Sequence, residues 1–129
     1  VADATTYKDG DEVHSGALYR RIFPHRDYFK DGRATSLNFL PDRGETSLSL
    51  YRVAETTPSD VLTGHDGFGL LEIDAEVLWA LGVRVIYQGS RDKGHVGAFG
   101  FTKSAQPRRD AALASRVLQS PTIAAAQGR

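Results

Sequence analysis

The chain has 129 residues, 40% hydrophobic and 25% charged, with 16 Lys plus Arg balanced by 16 Asp plus Glu. That length suits one domain with a real core; the apolar content excludes a wholly disordered chain, and zero net charge excludes a field that gathers nucleic acid indiscriminately. Cysteine is absent, which removes disulfides, thiolate nucleophiles and Cys-ligated zinc. Twelve of the 16 basic residues are Arg, the cation suited to bidentate recognition of carboxylate or phosphate. The longest apolar runs, "FGLLEI" and "VLWALGV", fall far short of the roughly 20 residues of a membrane helix. No signal-peptide pattern opens the chain, and a bacterial cytoplasmic protein is expected.

Residues 1–16 are polar and aperiodic, which predicts a loose lead-in with a turn at Asp9-Gly10. Residues 17–23, "ALYRRIF", alternate as a first strand, with Leu18, Arg20 and Ile22 on one face and Tyr19, Arg21 and Phe23 on the other. Pro24 and the "KDGR" turn bound a loop over 24–34. Residues 35–40, "TSLNFL", read as a second strand with Leu37 and Phe39 facing one way and Ser36 and Asn38 the other. The "PDRGE" turn then leads into a third strand over 46–53. Its Leu48 and Leu50 point to the core, and Ser47, Ser49 and Tyr51 point away. Strands two and three make a plausible hairpin.

Residues 56–64 predict a short helix capped by Thr57, with Pro58 in its first turn and Gly64 at its end. Residues 68–73 fit either a buried strand or the start of a helix. A helix over 74–81 follows, with Asp74 as N-cap, Gly82 just beyond, and Val77, Leu78 and Leu81 as the buried stripe. Trp79 lies at the edge of that stripe, where its indole N–H needs a partner. Residues 83–89 and 95–102 predict an antiparallel hairpin across the "SRDKG" loop. Gly97 and Gly100 mark a bulge or a close backbone approach. Residues 106–120 predict a helix that Pro107 opens and Pro121 stops, and 121–129 a frayed tail. The order predicts a single α+β domain over 1–129: a mainly antiparallel sheet with two or three helices packed on one face.

No phosphate-cradling Gly loop, dinucleotide fingerprint, zincin helix or nucleophile elbow occurs. No two of His14, His25, His65 and His95 share a helical ligand spacing, so neither a metal site nor a bound cofactor is expected. The densest polar cluster runs over 18–39, "LYRRIFPHRDYFKDGRATSLNF". If the first three strands are neighbours, Arg20 and Arg33 can clamp an anion while Ser36, Asn38 and Tyr51 orient it. Glu72 sits between apolar neighbours in "LLEI", so its carboxylate must leave the sheet or meet an Arg. With His95 it is the candidate acid or base. The string "LYR", a later Ser/Asn segment and a following Glu resemble ADP-ribosyltransferase-like proteins. That resemblance implies NAD held by Arg20, a role for Ser36 and acceptor activation by Glu72. The Ser-x-Ser signature of that family is missing, and the chain is not assigned to it.

Two functions are therefore expected in order. The first is a protein-interaction or regulatory module that binds a protein partner through the Arg-rich strand and loop and a polar sheet face. The alternative is an enzyme acting on a nucleotide, NAD or a phosphate-bearing substrate, with an Arg clamp and Glu72 or His95 as acid and base.

Overall fold

The computed structural model describes residues 6–123. Its centre is β1 (Ala17–Ile22), flanked by β4 (Ser47–Arg52) and β5 (Gly69–Asp74). Beyond β4 lie β7 (His95–Phe99) and β6 (Arg84–Tyr87); beyond β5 lies β8 (Arg116–Gln119). The six-stranded order is β6-β7-β4-β1-β5-β8, and every pairing is antiparallel. A separate two-stranded hairpin joins β2 (Phe29–Lys30) to β3 (Arg33–Ala34). Its turn residues Asp31 and Gly32 have φ of 54° and 76°, the paired left-handed conformation that an Asp-Gly hairpin turn requires. The architecture is α+β, as the sequence predicts.

One sheet face carries the main core. Leu18, Ile22, Leu50, Leu71, Ile73 and Val96 project into it. α2 (Ala75–Ala80) supplies Leu78, α3 (Ala105–Ala114) supplies Ala111, and a 3-10 turn (Ser36–Phe39) supplies Phe39. The opposite face holds a smaller cluster, where Val61 of α1 (Pro58–Leu62) covers Tyr19, Tyr51 and Leu70. Leu70 therefore faces one way and Leu71 and Ile73 the other. An apolar run with both faces covered is a buried strand, which resolves 68–73. Among the described residues no helix is long and apolar enough to cross a membrane.

The predicted caps hold. Thr57 Oγ1 accepts from the Asp60 N–H at 3.1 Å, and Asp74 accepts from the Glu76 N–H at 2.8 Å. Gly82 takes φ of 84° just beyond α2. Trp79 Nε1 donates to the Val13 carbonyl at 2.6 Å. The close backbone approach lies at Gly100, where a Cβ would sit 3.1 Å from the Gly82 carbonyl oxygen, whereas a Cβ on Gly97 would meet side chains, the Phe99 ring at 2.8 Å first.

Several expectations are corrected. Residues 35–40 are not a strand, and no hairpin joins them to β4: Ser36–Phe39 is a 3-10 turn, closed by the Leu40 N–H on the Leu37 carbonyl, in which Asn38 and Phe39 are both buried. The Asn38 amide donates to the carbonyls of Tyr28 at 2.7 Å and Thr35 at 3.0 Å, local bonds that replace a ladder. Phe39 then reaches Phe101, with ring centroids 5.6 Å apart. The last helix ends at Ala114 rather than 120. Ser115 is extended and bonds the Ala111 and Ala112 carbonyls, and residues 116–119 pair with β5 as β8. Continuing the helix would leave that edge of β5 unpaired.

The lead-in is docked where it is described. Gly10 and Val13 donate to the carbonyls of Tyr87 and Val85, and Val13 is fully buried. This segment covers the outer edge of β6. Pro121 is buried, and the Thr122 N–H donates to the Gly67 carbonyl at 2.8 Å, so the tail begins as packed chain. Its residues 124–129 lie outside the described residues, as do 1–5.

Two variants separate capping from packing. Asp74→Ala should lower the urea unfolding free energy by about 1 kcal/mol. Leu78→Ala should lower it by about 2–5 kcal/mol. An Asp74→Ala loss larger than that of Leu78→Ala would contradict this division.

Candidate functional site

The face opposite the main core becomes polar where β1, β4 and β7 run together. Strand alternation places Arg21 of β1 and Ser49 and Tyr51 of β4 there. Tyr51 is in register with His95 of β7. His95 Nε2 lies 2.9 Å from Ser49 Oγ. The imidazole also stands edge-on to the Tyr51 ring, with centroids 5.3 Å apart at 80°. Arg21 donates through Nη1 to the Val61 carbonyl at 2.7 Å and through Nη2 to Tyr51 Oη at 3.3 Å. Its guanidinium carbon lies 5.2 Å from the Tyr51 ring centroid, within cation–π range.

Two small polar cavities flank Arg21. One has a volume of ≈ 190 Å³ and is lined by Arg20, Arg21, Asp42, Glu45, Ser49 and Arg91 among others. The second, of ≈ 150 Å³, is lined by Arg21, Tyr51, Asp60, Asp92 and Lys93 among others. Arg21 belongs to both. The turn after the 3-10 segment supplies Asp42 and Glu45, and the β6–β7 connection supplies Arg91, Asp92 and Lys93. Loops thus bring charge to a polar patch built on strands, the usual division between scaffold and site.

Burial dominates the titration of this patch. His95 is 2% exposed. Loss of hydration, reinforced by the Arg91 cation and weakly by Arg21 against an opposing Asp92, pushes its imidazole down to about 4. It is therefore neutral at pH 7. Burial likewise lowers the Arg20 guanidinium to about 10, with Asp42 opposing that shift and Arg21 adding to it. Arg20 remains a cation.

The structure brings Tyr51 and His95 together, sets Arg20 on the wall of the larger cavity and places the other predicted site residues elsewhere. Arg20 donates through Nε to the Asn38 carbonyl at 2.8 Å and through Nη1 to the Ser49 carbonyl at 2.9 Å. Asn38 is buried beneath the 3-10 turn. Ser36 opens that turn, and Arg33 is exposed on the β2–β3 hairpin. Glu72 accepts from Arg116 at 2.8 Å, one of the two outcomes its sequence position required. It shares the face of Tyr19, its register partner, whereas Arg20 pairs with Leu71 and projects to the other face. Arg20, Ser36 and Glu72 therefore do not assemble the triad that the ADP-ribosyltransferase resemblance implies. Arg21, Ser49 and Arg91 were not in the predicted set. The outward alternation of Ser49 was readable; the meeting of Arg91 with it depends on how a loop folds back.

Among the described residues no group of three or more His, Asp or Glu side chains is placed to hold a metal ion. Comparison with protein-family models, with curated proteins and with solved structures gives no match.

Two outcomes follow. Arg20→Met leaves two carbonyls without their charged donor and should cost about 1–3 kcal/mol in chemical unfolding; no loss would show those bonds to be dispensable. The unfolded chain protonates His95 near 6.5 and the folded protein only near 4. The unfolded state then binds more protons in that window, so stability falls as pH drops through it. The contribution is on the order of 3 kcal/mol once pH is below 4. His95→Gln should flatten the melting temperature between those pH values; an unchanged slope would assign the pH dependence to other groups.

Proposed function

We propose that this chain is a small recognition module that binds a protein partner across the outer face of β1 and receives an anionic group of that partner beside Arg21. The observation that carries this reading is that Arg21, near the end of β1, and an exposed Phe23 lie two residues apart in the chain. Arg21 borders two polar cavities. Phe23 is 48% exposed, yet its ring is held by Phe68 edge-on at 5.4 Å and by Tyr28 at 5.4 Å. A guanidinium and a held, exposed aromatic ring so close in the chain have the chemistry of an interface anchor. Arg26, Lys30 and Arg33 lie exposed on the adjoining loop and hairpin, where they add electrostatic attraction at the rim more than affinity.

The catalytic alternative draws less support. Glu72 is paired with Arg116, and His95 is a weak base held against Ser49. A nucleotide, NAD or sugar phosphate remains the ligand class that would favour it.

Fluorescence-polarisation titration with acidic peptides carrying an apolar residue, in parallel with NAD and nucleotides, tests the choice. Arg21→Ala and Phe23→Ala should each weaken peptide binding about tenfold or more, while Arg33→Ala changes it little. Tight binding of NAD or a nucleotide that is indifferent to Phe23→Ala would reverse the order of the two readings.

A further inference from the structure

The larger cavity contains a device that defines its ligand more closely. We infer that Ser49 is the hydrogen-bond donor on the wall of a phosphoryl-binding cavity, and that the Nε2–H tautomer of His95 keeps it in that role. The inference rests on the reading of this face as an anion receptor.

His95 is 2% exposed, and its Nδ1 is buried without a hydrogen-bond partner among the described residues. A neutral imidazole carries one proton. Placed on Nδ1, that proton would make a buried N–H with no acceptor, an arrangement proteins rarely keep. Placed on Nε2, it meets Ser49 Oγ at 2.9 Å. The cross-strand neighbour Gln88 does not relieve an Nδ1 proton: among the described residues its buried Oε1 is in no hydrogen bond, so it does not accept from Nδ1. Ser49 Oγ therefore accepts from His95, and its own proton must go elsewhere. Its backbone carbonyl is already held by Arg20. Ser49 lines the cavity that Arg21 and Arg91 also line, and that cavity is the destination inferred for the proton.

Arg21 and Arg91 are in no ion pair among the described residues. Arg21 already donates to the Val61 carbonyl and to Tyr51 Oη; its remaining N–H groups, Arg91 and the hydroxyl can each use a separate acceptor oxygen, which a tetrahedral oxyanion supplies and a carboxylate supplies less fully. Asp42 and Glu45 line the same cavity. They repel a bare anion but can accept from a P–OH, so a protonatable phosphoryl group suits the cavity better than sulfate. At ≈ 190 Å³ the space takes a phosphoryl group with a few attached atoms, which fits inorganic phosphate or a phosphorylated side chain of a partner.

Two measurements on the full chain test this. A long-range ¹H–¹⁵N correlation spectrum of His95 should show Nε2 protonated and Nδ1 bare; the opposite tautomer overturns the proposal. Calorimetric titration should show phosphate or a phosphoserine peptide binding at least tenfold more tightly than sulfate. A peptide that binds more tightly than free phosphate identifies a partner-borne group, and the reverse identifies the free ion. Ser49→Ala should weaken binding at least tenfold, and Ser49→Thr, which keeps the hydroxyl, should restore it. Phosphate binding that survives Ser49→Ala overturns the donor role but leaves the anion receptor standing. Peptide binding that depends on Arg21 and Phe23 without any response to phosphate overturns the phosphoryl assignment alone.

Discussion

The guanidinium of Arg20 donates to the carbonyl oxygens of Asn38 and Ser49 next to the point where β1 and β4 stop pairing. Their registered ladder covers only Leu18 with Arg52 and Tyr19 with Tyr51, whereas β1 and β5 are in register over six pairs. A sheet that parts in its middle leaves carbonyls without ladder partners, and a buried unpaired carbonyl is costly. Arg20 supplies the missing donors. It thereby joins three segments distant in the chain: β1, β4 and the 3-10 turn that carries Phe39 into the core. The position of Ser49, and through it the polar cavity, depends on that bridge.

The other constraint is that both faces of the sheet are used unequally. The main core face is closed by α2, α3 and Phe39. Among the described residues the opposite face is covered by α1, whose Val61 packs on Tyr19, Tyr51 and Leu70. A five-residue helix cannot roof six strands. The remainder of that face is left to side chains that tolerate partial hydration, including Ser49, Arg21 and the Tyr51 hydroxyl. His95 is the exception, because it is buried there with one ring nitrogen lacking a partner among the described residues. Keeping it neutral is the physical consequence, and a fixed role for Ser49 follows from the neutral ring.

A second buried polar network lies on the core side. Arg52, 3% exposed, pairs with Glu55, whose other oxygen accepts from Tyr87 Oη at 2.6 Å. That bond and burial push the Tyr87 phenol up to about 12. Such a cluster specifies one arrangement of β4 against β6 more than it adds net stability. The sheet thus carries an ionic lock on one side and, on the other, a polar patch that borders two cavities beside Arg21.

Much of the framework was legible in local chemistry. Thr57, Asp74 and Gly82 marked helix ends because capping is decided within a few residues. The β6–β7 hairpin and the core-facing Leu48 and Leu50 were readable because strand alternation is local as well. Sequence alone also required that Glu72 leave the sheet or meet an Arg, and that Trp79 find an acceptor. It could not name Arg116 or the Val13 carbonyl as those partners. Tertiary structure alone decided that Asn38 and Phe39 both turn inward, that 116–119 leaves the helix to pair with β5, and that Arg91 comes to Ser49. Each of these depends on a backbone group or cavity supplied by a distant segment, and no local pattern records which distant segment will supply it.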